Sequence, residues 1–368
     1  MARLGDYIEQ IRGVSYKPED VCSSTDIDAV AILRANNIQD DELNFDDLVY
    51  VRKSKVHEKQ DIQKGDIVVC ASSGSKNLVG KAAVAKENMQ ISFGAFCKVV
   101  RPTGLLPGYV GHFFQSPKYR STISDLSGGA NINNIRNEHI DELDIVIVSE
   151  EEQEKIINEL DAISNLISLR KQQLAKLDEL VKSRFVEMFG DYRINNKGFN
   201  CKKGSELFKF SSGKFLPEEK RLESGIPVYG GNGIAWYTEE ALIDFSTIII
   251  GRVGAQCGNI HAVTTPVWIT DNAIYIKEQK TKAYTLEFLT ELMRMMNFYQ
   301  YADFSGQPKI TQKPLETLEY IIPPIELQKE YTAFVEQIDK SKFEIQKSLN
   351  QLEILKKALM QKYFGEGV

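Results

Sequence analysis

Cysteine is scarce in this chain, and the scarcity removes two function classes at the outset. Its five cysteines, Cys22, Cys70, Cys97, Cys201 and Cys257, are odd in number, widely spaced and never in a CxxC arrangement. Neither a disulfide framework nor a zinc knuckle is expected, and the bland reading is buried free thiols. Histidine is scarcer still. His57, His112, His139 and His261 stand far apart, none in an HExxH pattern, so no metal cluster is expected. Long apolar runs are missing too, which leaves no candidate for a membrane span. The opening MARLGDYIEQ lacks the apolar core of a secretion signal, and the expected compartment is the cytoplasm.

Catalytic motifs are equally thin. The stretch from Gly74 to Ala82 resembles a phosphate-binding loop only superficially: five residues separate Gly74 from Gly80, and Ala82 stands where Ser or Thr must reach magnesium. No GxGxxG follows a strand, which argues against a dinucleotide cofactor. The one Pro-Pro pair, Pro323-Pro324, follows Ile322 rather than the Asn or Asp that base methyltransferases present. Glu218-Glu219-Lys220 is a faint echo of a nuclease carboxylate cluster without an upstream Pro-Asp partner. The reading is a non-enzyme, with no catalytic residue, no metal and no cofactor bound by this chain.

What is present is ordinary globular composition, 42% hydrophobic and 26% charged, over 368 residues, enough for two domains and connecting structure. The net charge of −6 counts against a simple nucleic-acid binder, but charge is segregated. Residues 150–161 hold six acids and one Lys, residues 40–47 hold five acids, and residues 197–221 hold seven Lys or Arg against three acids. A basic face on an acidic protein is therefore available, although such runs are also what solvated surface looks like.

An internal repeat organises the chain. Leu174, Leu177, Leu180 and Phe189-Gly190 recur 175 residues on as Leu349, Leu352, Leu355 and Phe364-Gly365, and the same offset aligns Gln153 with Gln328. Upstream the offset becomes 178, matching Ser127-Gly128 and Ile132 with Ser305-Gly306 and Ile310, Gly80 with Gly258, and Ala95 with Ala273. The order is module, long segment, module, long segment. In the first long segment Ile156, Leu160, Ile163, Ile167, Leu174, Leu177, Val181, Phe185 and Met188 step by three and four, with Arg170 taking one slot. Tyr331, Val335, Ile338, Ile345, Leu349, Leu352 and Met360 keep the same rhythm in the second, with Lys342 in the seam. Ser149 with Glu152 reads as a capping box, Pro323-Pro324 as a helix opening, and Gly190 and Gly365 as helix stops. Two helices of roughly 40 residues, about 60 Å each, are expected. Ile163, Ile167, Leu174 and Leu177 are expected to pair with Ile338, Ile345, Leu349 and Leu352 in a coiled coil.

The modules read as mixtures of short strands and helices. In the first, residues 67–70, 95–100 and 143–148 are strand candidates, and 107–116 with 119–125 are helical. In the second, residues 247–250, 268–269 and 273–276 are strand candidates, and 286–301 is helical. Polar, glycine-rich loops fill the gaps. The second module carries Lys214, Tyr229 to Gly233 with Asn232, Gly251 to Asn259 with Arg252, Gln256 and Asn259, and then Gln307 and Lys309. The first carries Ser73, Lys76 and Asn77, then Asn131, Asn133 and Asn134. Glycine lets a backbone approach a partner, while Arg, Asn and Gln supply the paired hydrogen bonds that tell guanine from adenine. Taken singly, each loop is also what an ordinary tight turn looks like.

With these pieces in hand, the chain resembles the specificity subunits of type I restriction-modification enzymes over nearly its whole length. Three features carry the resemblance: the run from Tyr229-Gly230-Gly231-Asn232-Gly233 through Gly251-Arg252-Val253-Gly254 and Cys257-Gly258-Asn259 to Ile269-Thr270-Asp271-Asn272-Ala273, the Ser-Gly segments before each helix, and the two helices ending in Phe-Gly. The resemblance implies an α+β chain of two similar target-recognition domains, 1–149 and 191–324. They would be separated by two paired, antiparallel coiled-coil helices, 150–190 and 325–365, in a pseudo-twofold repeat. It implies that each domain reads one half of a bipartite site in double-stranded DNA. The helices would set the spacing and dock two modification subunits, with a restriction subunit joining them. S-adenosylmethionine and ATP with magnesium would belong to those partners. The first module departs from the pattern, lacking both the Tyr-Gly-Gly-Asn-Gly and the Gly-Arg-x-Gly stretches. The alternatives are a recognition subunit or fragment of another restriction-modification class, or an anti-restriction DNA mimic, against which the basic stretch 197–221 argues.

Overall fold

The structure, a computed structural model, describes residues 1–75, 78–126 and 133–365, with Asn133 described in its backbone only. Lys76, Asn77 and Asn131 of the candidate set, and the Ser127, Gly128 and Ile132 of the repeat, lie outside the described residues. The chain divides into two compact units, residues 1–171 with 347–368, and residues 172–346. Each unit therefore holds one module together with parts of both long helices.

The first unit is built on a four-stranded antiparallel sheet in the order Ile8–Arg12, Cys97–Pro102, Ile67–Cys70, Ala82–Val84. Ile67–Cys70 is buried along its whole length, as a continuous apolar run at the centre of a sheet requires. A second sheet places Ala29–Leu33 between Ile91–Phe93, parallel to it, and Val49–Arg52, antiparallel. A short pair, Ala2–Arg3 with Asp144–Ile145, closes the module ends. The helices Pro107–Gln115 and Pro117–Leu126 supply Tyr109, Phe113, Phe114, Tyr119 and Ile123 to the core.

The second unit repeats this topology strand for strand. Its four-stranded sheet runs Phe208–Ser212, Ala273–Gln279, Thr247–Gly251, Ile260–Val263. Its three-stranded sheet places Ile226–Gly230 between Gly233–Thr238, antiparallel, and Trp268–Ile269, parallel. Asn200–Lys203 pairs with Glu319–Ile322 as the closing pair. Gly80 and Gly258 are equivalent: with φ of +79° and +85°, each donates its N–H to the carbonyl ending the central strand, of Cys70 and Gly251 respectively. Two repeat matches need correcting. Ile135 N–H meets the Ala71 carbonyl as Ile310 N–H meets that of Arg252, so the counterpart of Ile310 is Ile135 and not Ile132. Cys97 pairs with Cys70 as Ala273 pairs with Gly251, so the counterpart of Ala273 is Cys97 and not Ala95.

Three expected elements also differ, each for a local reason. The strand expected at 95–100 starts at Cys97, because Cys97 N–H turns back onto the Gly94 carbonyl. The strand expected at 143–148 is only Asp144–Ile145; the carbonyls of Val146 and Val148 accept from Tyr109 Oη and Gln153 Nε2 instead of from a ladder. The helix expected over 286–301 breaks into Leu286–Met296 and a 3₁₀ turn, Phe298–Tyr301, because Asn297 adopts the left-handed conformation at φ +46°.

The long helices are Glu150–Phe189 and Ile325–Phe364. The first is capped by Ser149 Oγ, which accepts from Glu152 N–H at 3.3 Å, and stops at Gly190, φ +71°. In the first unit Ile156 and Leu160 share a core with Met360 and Phe364, and Tyr363 Oη donates to Glu159 at 2.6 Å. In the second, Phe185 and Phe189 share a core with Tyr331 and Val335, Arg184 pairs with Glu330 at 2.9 Å, and Lys342 with Asp178 at 2.6 Å. Early positions of one helix meet late positions of the other, so the pairing is antiparallel. Lys342 can occupy a seam position because Asp178 meets it there. Of the pairing candidates, Ile163, Ile338 and Leu349 are buried, and Ile167, Leu174, Leu177, Ile345 and Leu352 are half-buried. Leu180 and Leu355, equivalent in the repeat, both face solvent.

Gln153 and Gln328, also equivalent, tie each helix start to its module. Gln153 accepts from Leu106 N–H at 2.9 Å and donates to the Val148 carbonyl at 3.1 Å. Gln328, fully buried, accepts from Thr285 N–H at 3.1 Å and donates to the carbonyls of Ala283 and Pro323 at 2.8 and 2.9 Å. Replacing Gln328 by Leu strands those buried groups, and a loss of about 1–3 kcal/mol of unfolding free energy is expected. The change should appear as a lower denaturant midpoint at unchanged slope. Leu355→Asp, at an exposed position, should stay within about 0.5 kcal/mol; equal effects of the two changes would contradict this account.

Candidate nucleic-acid interface

In the second module the polar loops converge because glycines allow backbones to touch. The hairpin pairs Gly230 with Gly233 and leaves Asn232 exposed at its tip. Behind it the strand Thr247–Gly251 ends against Gly231: a Cβ on Gly251 would lie 2.3 Å from the Gln256 carbonyl oxygen and 2.7 Å from that of Gly231. No other residue fits. The hairpin tip and the turn that begins with Arg252 are thereby held together.

Arg252 is half-buried and braced. Its N–H donates to the Asn272 carbonyl at 2.9 Å and its guanidinium to the Asp271 carbonyl at 3.2 Å. Its own carbonyl accepts from Ile310 N–H at 2.9 Å, and Gly254, φ +85°, donates to the Pro308 carbonyl at 2.8 Å. These bonds zip the turn to the loop 303–309. That loop closes on itself through Asp303 and Lys309, which exchange backbone hydrogen bonds at 2.8 and 3.1 Å. Gln307 and Lys309 are exposed on it. Gln256 and Asn259, both exposed, hydrogen-bond each other on the far side of the turn. Lys214 is anchored through its backbone to Ile269 and Trp268, the strand that runs beside Tyr229, and its side chain faces outward. Tyr229 lies 6.1 Å, ring to ring, from His261, whose imidazole burial pushes below its usual pKa.

Apart from Tyr229, sequence reasoning passed over the aromatic side chains around these loops. Phe215 and Phe304 are more than half exposed, and Trp236 and Tyr299 are also exposed. The Arg221 guanidinium lies 4.1 Å from the Trp236 ring centre. Exposed rings beside basic side chains are what stacking on bases uses. The available signal was Phe215 immediately after Lys214, and Phe304 beside the Ser-Gly segment.

The first module builds the same corner from different residues. Ser73 pairs with Asn133 and Ser72 with Asn134 in a short ribbon, and Ile135 N–H donates to the Ala71 carbonyl at 2.8 Å, as Ile310 does to Arg252. Ala71-Ser72-Ser73 thus stands where Arg252-Val253-Gly254 stands in the second module. A cation lies nearby all the same. Lys98 is 7% exposed, donates to Gln10 Oε1 at 3.0 Å and to Asn137 Oδ1 at 2.9 Å, and burial pushes its pKa down to about 8 against the attraction of Asp141 and Glu138. Sequence reading missed it because it sits inside an apolar strand.

The Lys98 pKa is lower folded than unfolded, so between about 8 and the ordinary 10.5 the unfolded chain binds more protons. Its contribution to stability therefore rises with pH across that window and is least favourable below it. The difference in unfolding free energy between wild type and Lys98→Met should shift toward wild type as pH rises through this range; a pH-independent difference would show an unperturbed lysine.

Three comparisons place these features among known proteins. The family model described as the type I restriction modification DNA specificity domain matches residues 1–179 and 196–354. The specificity subunit of the type I restriction enzyme StySPI from Salmonella potsdam is 43% identical over 173 residues, 47% of this chain and 37% of that protein. That of EcoKI from Escherichia coli strain K12 is 40% identical over 188 residues, 51% of this chain and 40% of that protein. The matched stretch thus spans well under half of either relative. The crystal structure of the type I restriction-modification S subunit from M. genitalium is similar over 100% of this chain and 96% of that one, with a TM-score of 0.62 at 18% identity, a likeness of fold.

Proposed function

The chain belongs to the type I restriction-modification DNA specificity family, and from that premise we propose that it is the sequence-reading subunit of such a system, each module reading one half of an interrupted site in double-stranded DNA. One observation carries the reading. A single hydrogen-bonded corner recurs on two copies of one topology, and it presents Arg252-Val253-Gly254 in one copy and Ala71-Ser72-Ser73 in the other. A common scaffold with different exposed chemistry suits two different half-sites.

The remaining parts of the proposal follow from the division of labour in such systems. The helices set the gap between the half-sites and dock two modification subunits, to which a restriction subunit adds. Leu169, Phe343, Ile354 and Leu355, apolar and exposed on the helices, supply surface for protein contacts. S-adenosylmethionine and ATP with magnesium are used by those partners, and this chain contributes recognition without catalysis. A cytoplasmic setting belongs to the same proposal. No helix among the described residues is long and apolar enough to cross a membrane.

Mapping the bases methylated by the chain together with its modification subunits tests the proposal: two short, unlike motifs at a fixed gap are expected, and no motif at all would refute it. Inserting whole helical turns into both long helices should change the gap and leave both motifs unchanged. Arg252→Ala should cost about 1–3 kcal/mol of discrimination at one base pair of one half-site if the guanidinium meets a guanine edge. A uniform loss with a flatter salt dependence would make it a phosphate contact. Unchanged preference in a folded variant would leave Arg252 as a brace of the glycine turn.

A further inference from the structure

The first module has Ala71 where the second has Arg252, yet the same corner opens on a cleft of about 470 Å³ lined by Gln10, Arg12, Ser72, Phe96, Lys98 and Asn137, among others. We propose that Lys98, held by Gln10 and Asn137 at this cleft, is the first module's DNA contact, taking a hydrogen-bond-acceptor group of the duplex, a guanine edge or a phosphate oxygen. The inference rests on the reading of the chain as a DNA specificity subunit and assigns that reading a residue in the module where sequence motifs are missing.

Comparison of the two modules shows that the fold does not ask for a lysine here. Lys98 lies opposite Arg12 in the first sheet, and its counterpart opposite Ser212 is Ile274, fully buried. An apolar side chain fills this position in the same topology, so a charge here carries a desolvation cost that folding does not require.

The partners of Lys98 position the ammonium without neutralising it. Both are amide oxygens. Gln10 is fixed in turn, since its Nε2 donates to Asp141 Oδ1 at 2.7 Å and to the Asn137 carbonyl at 3.0 Å, which turns its oxygen toward the lysine. The carboxylates of Asp141 and Glu138 act on Lys98 through space. An ammonium has three donors, and two are used in these bonds. The cleft borders the Ser72–Ser73 ribbon, the equivalent of the Arg252 turn, and Phe96 and Arg12 stand exposed on its rim. A cation, amide oxygens and an open aromatic ring at one corner suit a group rich in acceptors carried by a flat, anionic partner.

The test uses the full chain assembled with its modification subunits, and duplexes carrying the methylated motif with single-base changes in each half. Lys98→Met should fold, because Ile274 occupies the equivalent site, and should bind the cognate duplex about tenfold more weakly. If the lysine meets a guanine edge, discrimination collapses at one base pair of one half-site. If it meets a phosphate, all duplexes weaken alike and the salt slope falls by about one unit. Either result supports the inference. Lys98→Gln, which keeps a polar group toward Gln10 and Asn137, is measured in parallel, so that loss of fold in one variant leaves the other to decide. Folded variants with unchanged affinity, discrimination and salt slope would overturn the inference. Wild type that prefers no sequence would instead refute the specificity reading itself.

Discussion

Phe364 closes the last helix of the chain, yet its ring is buried among residues of the first module, 5.2 Å from Tyr109 and 6.0 Å from Phe113. Phe189, its counterpart at the end of the first long helix, is buried in the second unit, 4.9 Å from Phe288 and 5.4 Å from Tyr331. Each module is thus completed by the start of one long helix and the end of the other. Burying such a ring is worth several kcal/mol, about 3–5 by the cost of its removal. Antiparallel pairing is then a consequence of where the aromatic ends must go. The polar bonds near it, Tyr363 to Glu159 and Arg184 to Glu330, set alignment more than stability, since they lie at partly exposed positions.

Much of this architecture was legible in the sequence because helical repeats leave a dense trace. Leu174, Leu177 and Phe189 recur at a constant offset, and Gln153 with Gln328 recurs because both accept from the N–H that opens a module helix and donate to the carbonyl five residues before them. Strand equivalence was harder to read. A strand is recognised by which carbonyl its N–H meets, and residue identity need not follow. Ala95 and Ala273 share a side chain but not a partner, whereas Cys97 and Ala273 share a register. Local hydrogen bonding also overrode propensity where Asn297 ended a helix and where side chains claimed the carbonyls of Val146 and Val148.

The candidate site was legible as a composition and not as a place. Asn232, Arg252, Gln307 and Lys309 come from three loops, and what gathers them is the close approach of Gly231 to Gly251 and the bonds from Ile310 and Gly254, none of which has a signature in spacing. Exposed rings such as Phe304 escaped notice because apolar residues read as core until burial is known. Lys98 escaped for the opposite reason: amid Cys97, Val99 and Val100 it reads as the outward residue of a strand, and only the fold shows it turned into a cleft.

Net charge misleads for a related reason, since the acids already have local work. Asp40 and Asp41, at φ +49° and +63°, form the two-residue turn between Ile38–Gln39 and Glu42–Leu43, a conformation that Asp tolerates better than most residues. Glu42 pairs with Lys86 at 2.9 Å and Asp47 with Arg34 at 2.8 Å. Glu150, Glu151 and Glu152 sit in the first turn of a long helix, where the backbone dipole favours negative charge. These carboxylates are spent on turns, ion pairs and a helix terminus. What a duplex meets is set by the side chains gathered at the module corners, and screening over about 8 Å in physiological salt makes the chain's total of −6 a weak influence there.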